Sequence, residues 1–153
     1  VIPKMRVNLA VFSQERAAAV IEGESQVSRW VVGGHSLGGA MACRYAGNNG
    51  DAVGGVVLVG SYCDRPVGET PAIAILGTRD AVLDHEEFAA NRENLPPDHT
   101  VSRIEGMNHS QAGWYSGQRG GQSARISTAE AQRQVAIAIA DWLCRDLGHC
   151  AIE

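Results

Sequence analysis

Short apolar segments recur along the chain and predict β-strands. Most are bounded by Gly, Pro or Asp, and the candidates are Arg29–Gly33, Val53–Gly60, Ala72–Gly77 and Thr100–Glu105. The first three are almost continuously apolar, which is typical of central parallel strands that are covered on both faces. Val1–Val7 is a weaker strand candidate.

Amphipathic segments lie between these strands and predict helices over Ser13–Glu22, Leu37–Ala46, Leu83–Leu95 and Ser127–Gly148. The last two start with capping boxes, Asp84–Glu87 and Ser127–Glu130. Four apolar side chains of the second helix are expected on one face: Leu37, Met41, Ala42 and Tyr45. Trp142 is expected to dock the last helix on the sheet.

The alternation of strand and helix predicts an α/β fold with a mostly parallel sheet of about five strands and helices on both faces. Residues 1–153 are expected to form one domain, because no linker or internal repeat divides them. Gly106–Ile126 is a long irregular stretch rich in Gly, Ser, Gln and Asn. Within a compact domain, a loop of this kind is usually functional or mobile.

Charge and composition exclude several classes of protein. The 13 basic and 17 acidic residues leave a net charge of −4, which argues against a nucleic-acid binder. The chain is 44% hydrophobic and 20% charged, a balance that disordered proteins do not have. No run approaches the roughly 18 apolar residues that a membrane span requires. These numbers indicate a globular chain.

The four cysteines allow more than one interpretation. Cys144 and Cys150 are close enough in sequence to form a disulfide if the last helix ends between them. Cys43 has a helical core spacing and Cys63 follows a buried strand, so both are expected to be small buried apolar residues. Cysteine and histidine do not recur at ligand spacing, and no zinc site is expected.

Gly34-His35-Ser36-Leu37-Gly38 carries the pattern G-x-S-x-G between an apolar strand and an amphipathic helix. In this context the serine lies on a sharp strand-to-helix turn, with its hydroxyl exposed at the end of the sheet. Side chains at positions 34 and 38 are expected to collide with the turn, which explains both glycines. The backbone N–H of Leu37 could then donate to an oxyanion. The alternative is a glycine-rich turn with an incidental serine.

A serine nucleophile needs a histidine base, and five histidines compete for that role. His109 directly follows the Thr100–Glu105 strand and opens the long polar loop, so its position favours it. The others lie in less suitable places: His35 inside the serine turn, His85 and His99 in polar turns, and His149 near the end of the chain.

The base in turn needs an orienting carboxylate. Asp80 follows the Ala72–Gly77 strand at its carboxyl end, which is where such a group is expected. Asp84 is an alternative, although its place in a capping box explains it more simply. Asp64, which follows the preceding strand, is a second alternative.

The sequence resembles the α/β-hydrolase superfamily, and within it the compact bacterial group often called the alpha/beta hydrolase fold-5 family. The matching segments are spread over most of the chain: Ile2–Met5, Val7–Phe12, Gly33–Ala42, Gly77–Asp80, Leu95–Pro97 and Gly106–His109. The resemblance implies a serine esterase. A serine in the turn argues against the cysteine-dependent dienelactone hydrolases and the aspartate-dependent epoxide hydrolases and dehalogenases.

By this resemblance, Ser36 is the nucleophile, Asp80 the acid and His109 the base of a catalytic triad that hydrolyses carboxylic esters through an acyl-enzyme. The Leu37 N–H is expected to bind the oxyanion, and no metal or organic cofactor is required. Trp114 and Tyr115 are expected either to wall a substrate pocket or to pin their loop to the core.

The resemblance departs from the family pattern before the serine turn. Family members normally have several strands and a helix ahead of this turn, and a loop there supplies a second oxyanion donor. Here only about thirty residues precede the strand that enters the turn, so the core is expected to be truncated at the N-terminus. The second hypothesis is therefore a partial core that needs another polypeptide, a missing N-terminal fragment or a second copy, to complete the sheet and the oxyanion hole.

Overall fold

Four parallel strands form the sheet in the computed structural model, which describes residues 16–113, 115, 118 and 120–148. The strands are β1 (Trp30–His35), β2 (Val53–Val59), β3 (Ala72–Gly77) and β4 (Thr100–Ile104), and they are adjacent in chain order. In the register, His35 lies beside Val59 and Val59 beside Ile75. The predicted α/β class and parallel sheet are confirmed. The fifth candidate strand, Val1–Val7, lies outside the described residues.

The helices are α1 (Arg16–Gly23), α2 (Leu37–Asn48), α3 (His85–Ala90) and α4 (Thr128–Leu147). Ser127 caps α4 as predicted, since its hydroxyl accepts from the Glu130 N–H, and Gly148 ends the helix with a φ of 68°. None of the helices in the described part of the chain is long and apolar enough to cross a membrane.

Helix α3 is shorter than the predicted Leu83–Leu95 helix. Asp84 caps its start as expected, by accepting from two backbone N–H groups. Its end comes at Asn91, whose side-chain amide donates to the Glu87 carbonyl 2.8 Å away. A separate 3-10 turn, Arg92–Asn94, follows it. Local side-chain bonding to the backbone therefore divides a pattern that resembled one helix.

Alternate side chains of the central strands enter two separate cores, as the period of two in a strand requires. Val56 and Leu58 of β2 pack on one face with α2 and α3. Val57 and Val59 point to the opposite face, where α4 covers them. Trp142 of α4 is 1% exposed there, so its predicted place between helix and sheet is confirmed.

Cys43 of α2 and Cys63, in the loop after β2, form a disulfide with Cα atoms 5.4 Å apart. Both are buried as expected, but treating them as simple apolar residues is wrong. Helix α2 packs beside β2, and this brings together two cysteines 20 residues apart. Closing a loop of that length stabilises a fold by about 3 kcal/mol in the chain-entropy model. The proposed Cys144–Cys150 bridge involves Cys150, which lies outside the described residues.

Candidate active site

The carboxyl ends of all four strands meet at one edge of the sheet, because the strands are parallel. Ser36 directly follows β1 and Ser61 comes shortly after β2. Asp80 lies beyond β3, and His109 lies beyond β4 at the start of a 3-10 turn. The tertiary structure thus brings the predicted Ser36, Asp80 and His109 to the same edge, and Ser36 and His109 line one cavity of about 380 Å³.

Ser36 has a φ of 53° and a ψ of −126°, and it is the single non-glycine residue with positive φ in the described part of the chain. Such a conformation costs on the order of 1–3 kcal/mol and persists only where the surroundings impose it. Here the Ser36 N–H donates to the Val59 carbonyl at 3.0 Å. The Ser61 hydroxyl donates to the Ser36 carbonyl at 2.7 Å. Strand β2 and its loop therefore hold the turn.

Two glycines allow the close approach of strand and helix, but they are not the two expected. A side chain at Gly34 would overlap the backbone of Gly38. A Cβ at Gly39 would lie 2.6 Å from the Ser61 hydroxyl oxygen, whereas a Cβ at Gly38 would meet nothing within 4 Å. The predicted collision is therefore right for position 34 and wrong for position 38. Gly39 is the residue that faces the loop holding the turn.

Asp80 and His109 form a buried pair, with Asp80 Oδ2 2.7 Å from His109 Nδ1 and the residues 4% and 3% exposed. The other carboxylate oxygen accepts from the N–H groups of Val82 at 3.1 Å and Leu83 at 2.9 Å. Burial by itself would raise the pKa of Asp80, but the His109 contact and these N–H groups outweigh it and hold that pKa below its usual value. Asp80 is therefore ionised.

An ionised carboxylate only accepts hydrogen bonds, so His109 Nδ1 donates to Asp80. In the neutral imidazole, Nε2 is then the unprotonated nitrogen. His109 Nε2 is buried and makes no hydrogen bond to any other described residue, Ser36 included. Bonds of this kind are often long in the absence of substrate and tighten when it binds. The pair therefore leaves the basic nitrogen Nε2 of His109 without a hydrogen-bond partner among the described residues, at the same edge of the sheet as Ser36.

The other two candidate acids are held by different partners. Asp84 accepts from two N–H groups of α3, as its capping box predicts. Asp64 pairs with the Arg44 guanidinium, which lowers the pKa of the carboxyl. Of the three carboxylates considered from sequence, Asp80 is the one that contacts His109.

The competing histidines bond elsewhere. His85 Nε2 lies 2.7 Å from the Asp80 carbonyl oxygen, and His99 lies within hydrogen-bond distance of the Arg92 guanidinium. His149 lies outside the described residues.

The two aromatic residues predicted to wall a pocket or to pin their loop are Trp114 and Tyr115. Trp114 lies outside the described residues. Tyr115 is 46% exposed, and its hydroxyl donates to Gln118 at 3.1 Å.

His35 packs against His109, with ring centroids 4.4 Å apart. Burial, and secondarily the charge of His109, lowers the pKa of His35 from 6.5 to about 4. Sequence reasoning placed His35 in the turn but missed this contact. The available signal was strand alternation, because successive side chains of a strand leave on opposite faces and His35 ends β1.

His35 should make the protein acid-sensitive. Its folded pKa is lower than its unfolded value of 6.5, so the unfolded chain takes up the proton first. This contribution to stability is present above pH 6.5 and is lost as the pH falls towards about 4. Between pH 7.5 and 5 the loss is at most about 2 kcal/mol, and solvent screening of the half-buried ring reduces it.

The measurement is the free energy of unfolding in urea at both pH values, for the parent chain and for His35→Asn. We expect a smaller difference between the two pH values in the variant. Because all other titrating groups are shared, an identical difference in the two proteins would rule out His35 as the cause.

The chain belongs to the alpha/beta hydrolase family, whose family model matches residues 1–134. Solved structures share its fold. A predicted CIB-like hydrolase from Thermoplasma acidophilum aligns with a TM-score of 0.64 at 17% identity, over 90% of this chain and 60% of that one. A monoacylglycerol lipase from Paleococcus ferrophilus aligns with a TM-score of 0.62 at 15% identity, over 88% of this chain and 74% of that one.

A thermophilic esterase from Thermogutta terrifontis aligns with a TM-score of 0.64 at 15% identity, over 94% of this chain and 74% of that one. No curated protein matches the sequence. At these identities the likeness extends to the fold, and the chain spans only 60% of the length of the Thermoplasma hydrolase.

Proposed function

We propose that this chain is a serine hydrolase that cleaves carboxylic esters through an acyl-enzyme, with Ser36 as nucleophile, His109 as base and Asp80 as the orienting acid. The observation that carries the proposal is the buried Asp80–His109 pair. In this pair His109 Nε2 has no hydrogen-bond partner among the described residues, and His109 lines the same cavity as Ser36. The strained backbone of Ser36 supports it, because nucleophilic serines of this fold lie on such turns.

In this mechanism His109 Nε2 takes the Ser36 hydroxyl proton while the oxygen attacks the ester carbonyl carbon. Asp80 keeps the proton on Nδ1 and stabilises the imidazolium that forms. The oxyanion accepts from the N–H of Leu37, which lies in the first turn of α2 and has no acceptor within the helix. His109 then protonates the leaving alcohol, and water repeats the steps to release the acid.

Leu37 was predicted to share one face of α2 with Met41, Ala42 and Tyr45. Those three side chains are buried, whereas Leu37 is 48% exposed and lines the cavity beside Ser36. The Leu37 N–H and side chain are thus both placed next to the proposed reaction centre, where the side chain can contact a substrate. The lipase and esterase activities named for two structural neighbours favour an ester as that substrate.

A fluorophosphonate probe tests the proposal, because it reacts covalently with activated serines. We expect one label per chain, mapped to Ser36 by peptide mass spectrometry. Ser61 and Ser110 are internal controls, since both lie near His109 in the same chain. Equal labelling of the parent chain and Ser36→Ala would overturn the assignment.

The second candidate function is a partial core that acts only with another polypeptide. Strand β1 supports it, because it is an edge of the sheet formed by the described residues and unpaired edges readily accept a strand. The same probe separates the two candidates. Labelling of Ser36 in the chain alone favours the self-sufficient enzyme, whereas labelling only after a second polypeptide is added favours completion of the sheet.

A further inference from the structure

His109 lines two cavities of different chemistry. The first, the serine cavity, has a volume of about 380 Å³ and contains Ser36 with apolar neighbours such as Met41 and Leu83. The second, the amide cavity, has a volume of about 230 Å³. Apart from Val82 and His109, which line both cavities, its lining is small or polar: Asn108, Ser110, Gln118, Gly121, Gln122 and Ser123.

We propose that the amide cavity binds the alcohol portion of the substrate, and that this alcohol is a neutral polyol about the size of glycerol. The inference rests on the proposed function, in which His109 protonates the leaving oxygen. That oxygen must lie within hydrogen-bond reach of Nε2, so the alcohol extends from His109. The acyl group, by contrast, is bonded to Ser36 and stays in the serine cavity.

The amide cavity carries hydrogen-bonding capacity that the fold leaves unused. The side chains of Gln122 and Ser123 have no hydrogen-bond partner among the described residues, although their backbone carbonyls accept from Asn108 and Arg79. Ser110 donates its proton to Asn108 at 3.1 Å and keeps its oxygen available as an acceptor. An amide and two hydroxyls supply both donors and acceptors, and this matches the hydroxyl groups of a polyol.

The charge of its lining residues and its volume further restrict the kind of alcohol that the amide cavity can bind. None of the described residues that line the amide cavity is an Asp, Glu, Lys or Arg, and their lining therefore favours a neutral alcohol over a phosphorylated or cationic one. Its volume equals that of about seven or eight waters at about 30 Å³ each, which accommodates a triol with its remaining hydration. An apolar alcohol would instead leave the cavity's polar groups without partners, which costs binding.

Three butyrate esters test this, since they share the acyl group and differ in the alcohol. They are glyceryl monobutyrate, propyl butyrate and butyrylcholine, with p-nitrophenyl butyrate as the reference for basal activity. We expect kcat/KM for the glyceryl ester to exceed that of the propyl and choline esters by about tenfold, as two neutral hydrogen bonds would give. In Gln122→Leu the glyceryl-to-propyl ratio should fall about fivefold.

Ser123→Ala is the second variant and should lower the same ratio. Gln26→Leu, the same kind of change at an exposed glutamine of another loop, is the matched control and should keep the parent ratio. If the protein hydrolyses p-nitrophenyl butyrate through Ser36 but does not prefer the glyceryl ester, the proposed alcohol site is wrong and the proposed function is still supported. Absence of Ser36-dependent hydrolysis of all four esters would overturn both.

Discussion

Replacing Ser36 by alanine is expected to lower kcat for p-nitrophenyl butyrate by about 10⁴-fold or more. The reason is that alanine removes the oxygen that forms the acyl-enzyme, and water in the same cavity lacks both its position and its fixed orientation. The residual rate would come from the Leu37 N–H and from substrate binding. Initial rates of p-nitrophenol release, with protein concentration matched, measure the effect.

The fold should tolerate this change, because alanine keeps the Cβ and the backbone contacts that hold the turn remain. These are the Ser36 N–H to Val59 and the Ser61 hydroxyl to the Ser36 carbonyl. Ser127→Ala is the matched control: it removes the cap of α4, which costs about 1 kcal/mol of stability, and should leave kcat unchanged. A Ser36→Ala protein with parental turnover would mean that another group performs the chemistry.

Replacing Asp80 by asparagine is expected to lower kcat by about 10⁴-fold, with a smaller effect on KM. Asparagine keeps the shape of the side chain and an oxygen for the Val82 and Leu83 N–H groups. Its amide nitrogen donates a hydrogen bond where Asp80 Oδ2 accepted one. His109 Nδ1 must then accept, and the proton moves to Nε2, where it prevents that nitrogen from acting as the base.

Steady-state kinetics on p-nitrophenyl butyrate measure this loss, and Asp98→Asn, the same change at an exposed position, is the matched control. The ionised pair also stabilises the fold, because the folded pKa of Asp80 lies below its ordinary 3.8. This stabilisation is present above pH 3.8 and is lost as the pH falls through the folded pKa. Parental kcat in Asp80→Asn would contradict the assignment of Asp80 as the orienting acid.

Much of the architecture was predictable because its signals are local. Continuous apolar segments marked β1, β2 and β3 to within two residues at each end. For β2 and β3 the reason is that strands covered on both faces need apolar side chains. The cap of α4 could also be predicted from a local signal, because Ser127 and Glu130 lie within one helical turn of each other. The misjudged α3 shows the limit, since the amide of Asn91 competed with the helix in a way that periodicity does not record.

Contacts between distant segments were not predictable. The Cys43–Cys63 disulfide depends on how α2 packs beside β2. Gly39 is required by Ser61, which comes from another strand's loop. In each case the deciding partner lies about 20 or more residues away, beyond the range of any local pattern.

Residues that are neighbours in the chain were enough to predict the parallel α/β class, the serine turn and the positions of Asp80 and His109 just after strands. Three features appear only when the chain folds: Asp80 is the carboxylate that contacts His109, His35 packs on the His109 ring, and two unlike cavities share His109 as a lining residue. They depend on folding because parallel pairing brings the ends of separate strands to one edge. The distances among their side chains then depend on the packing of the whole sheet.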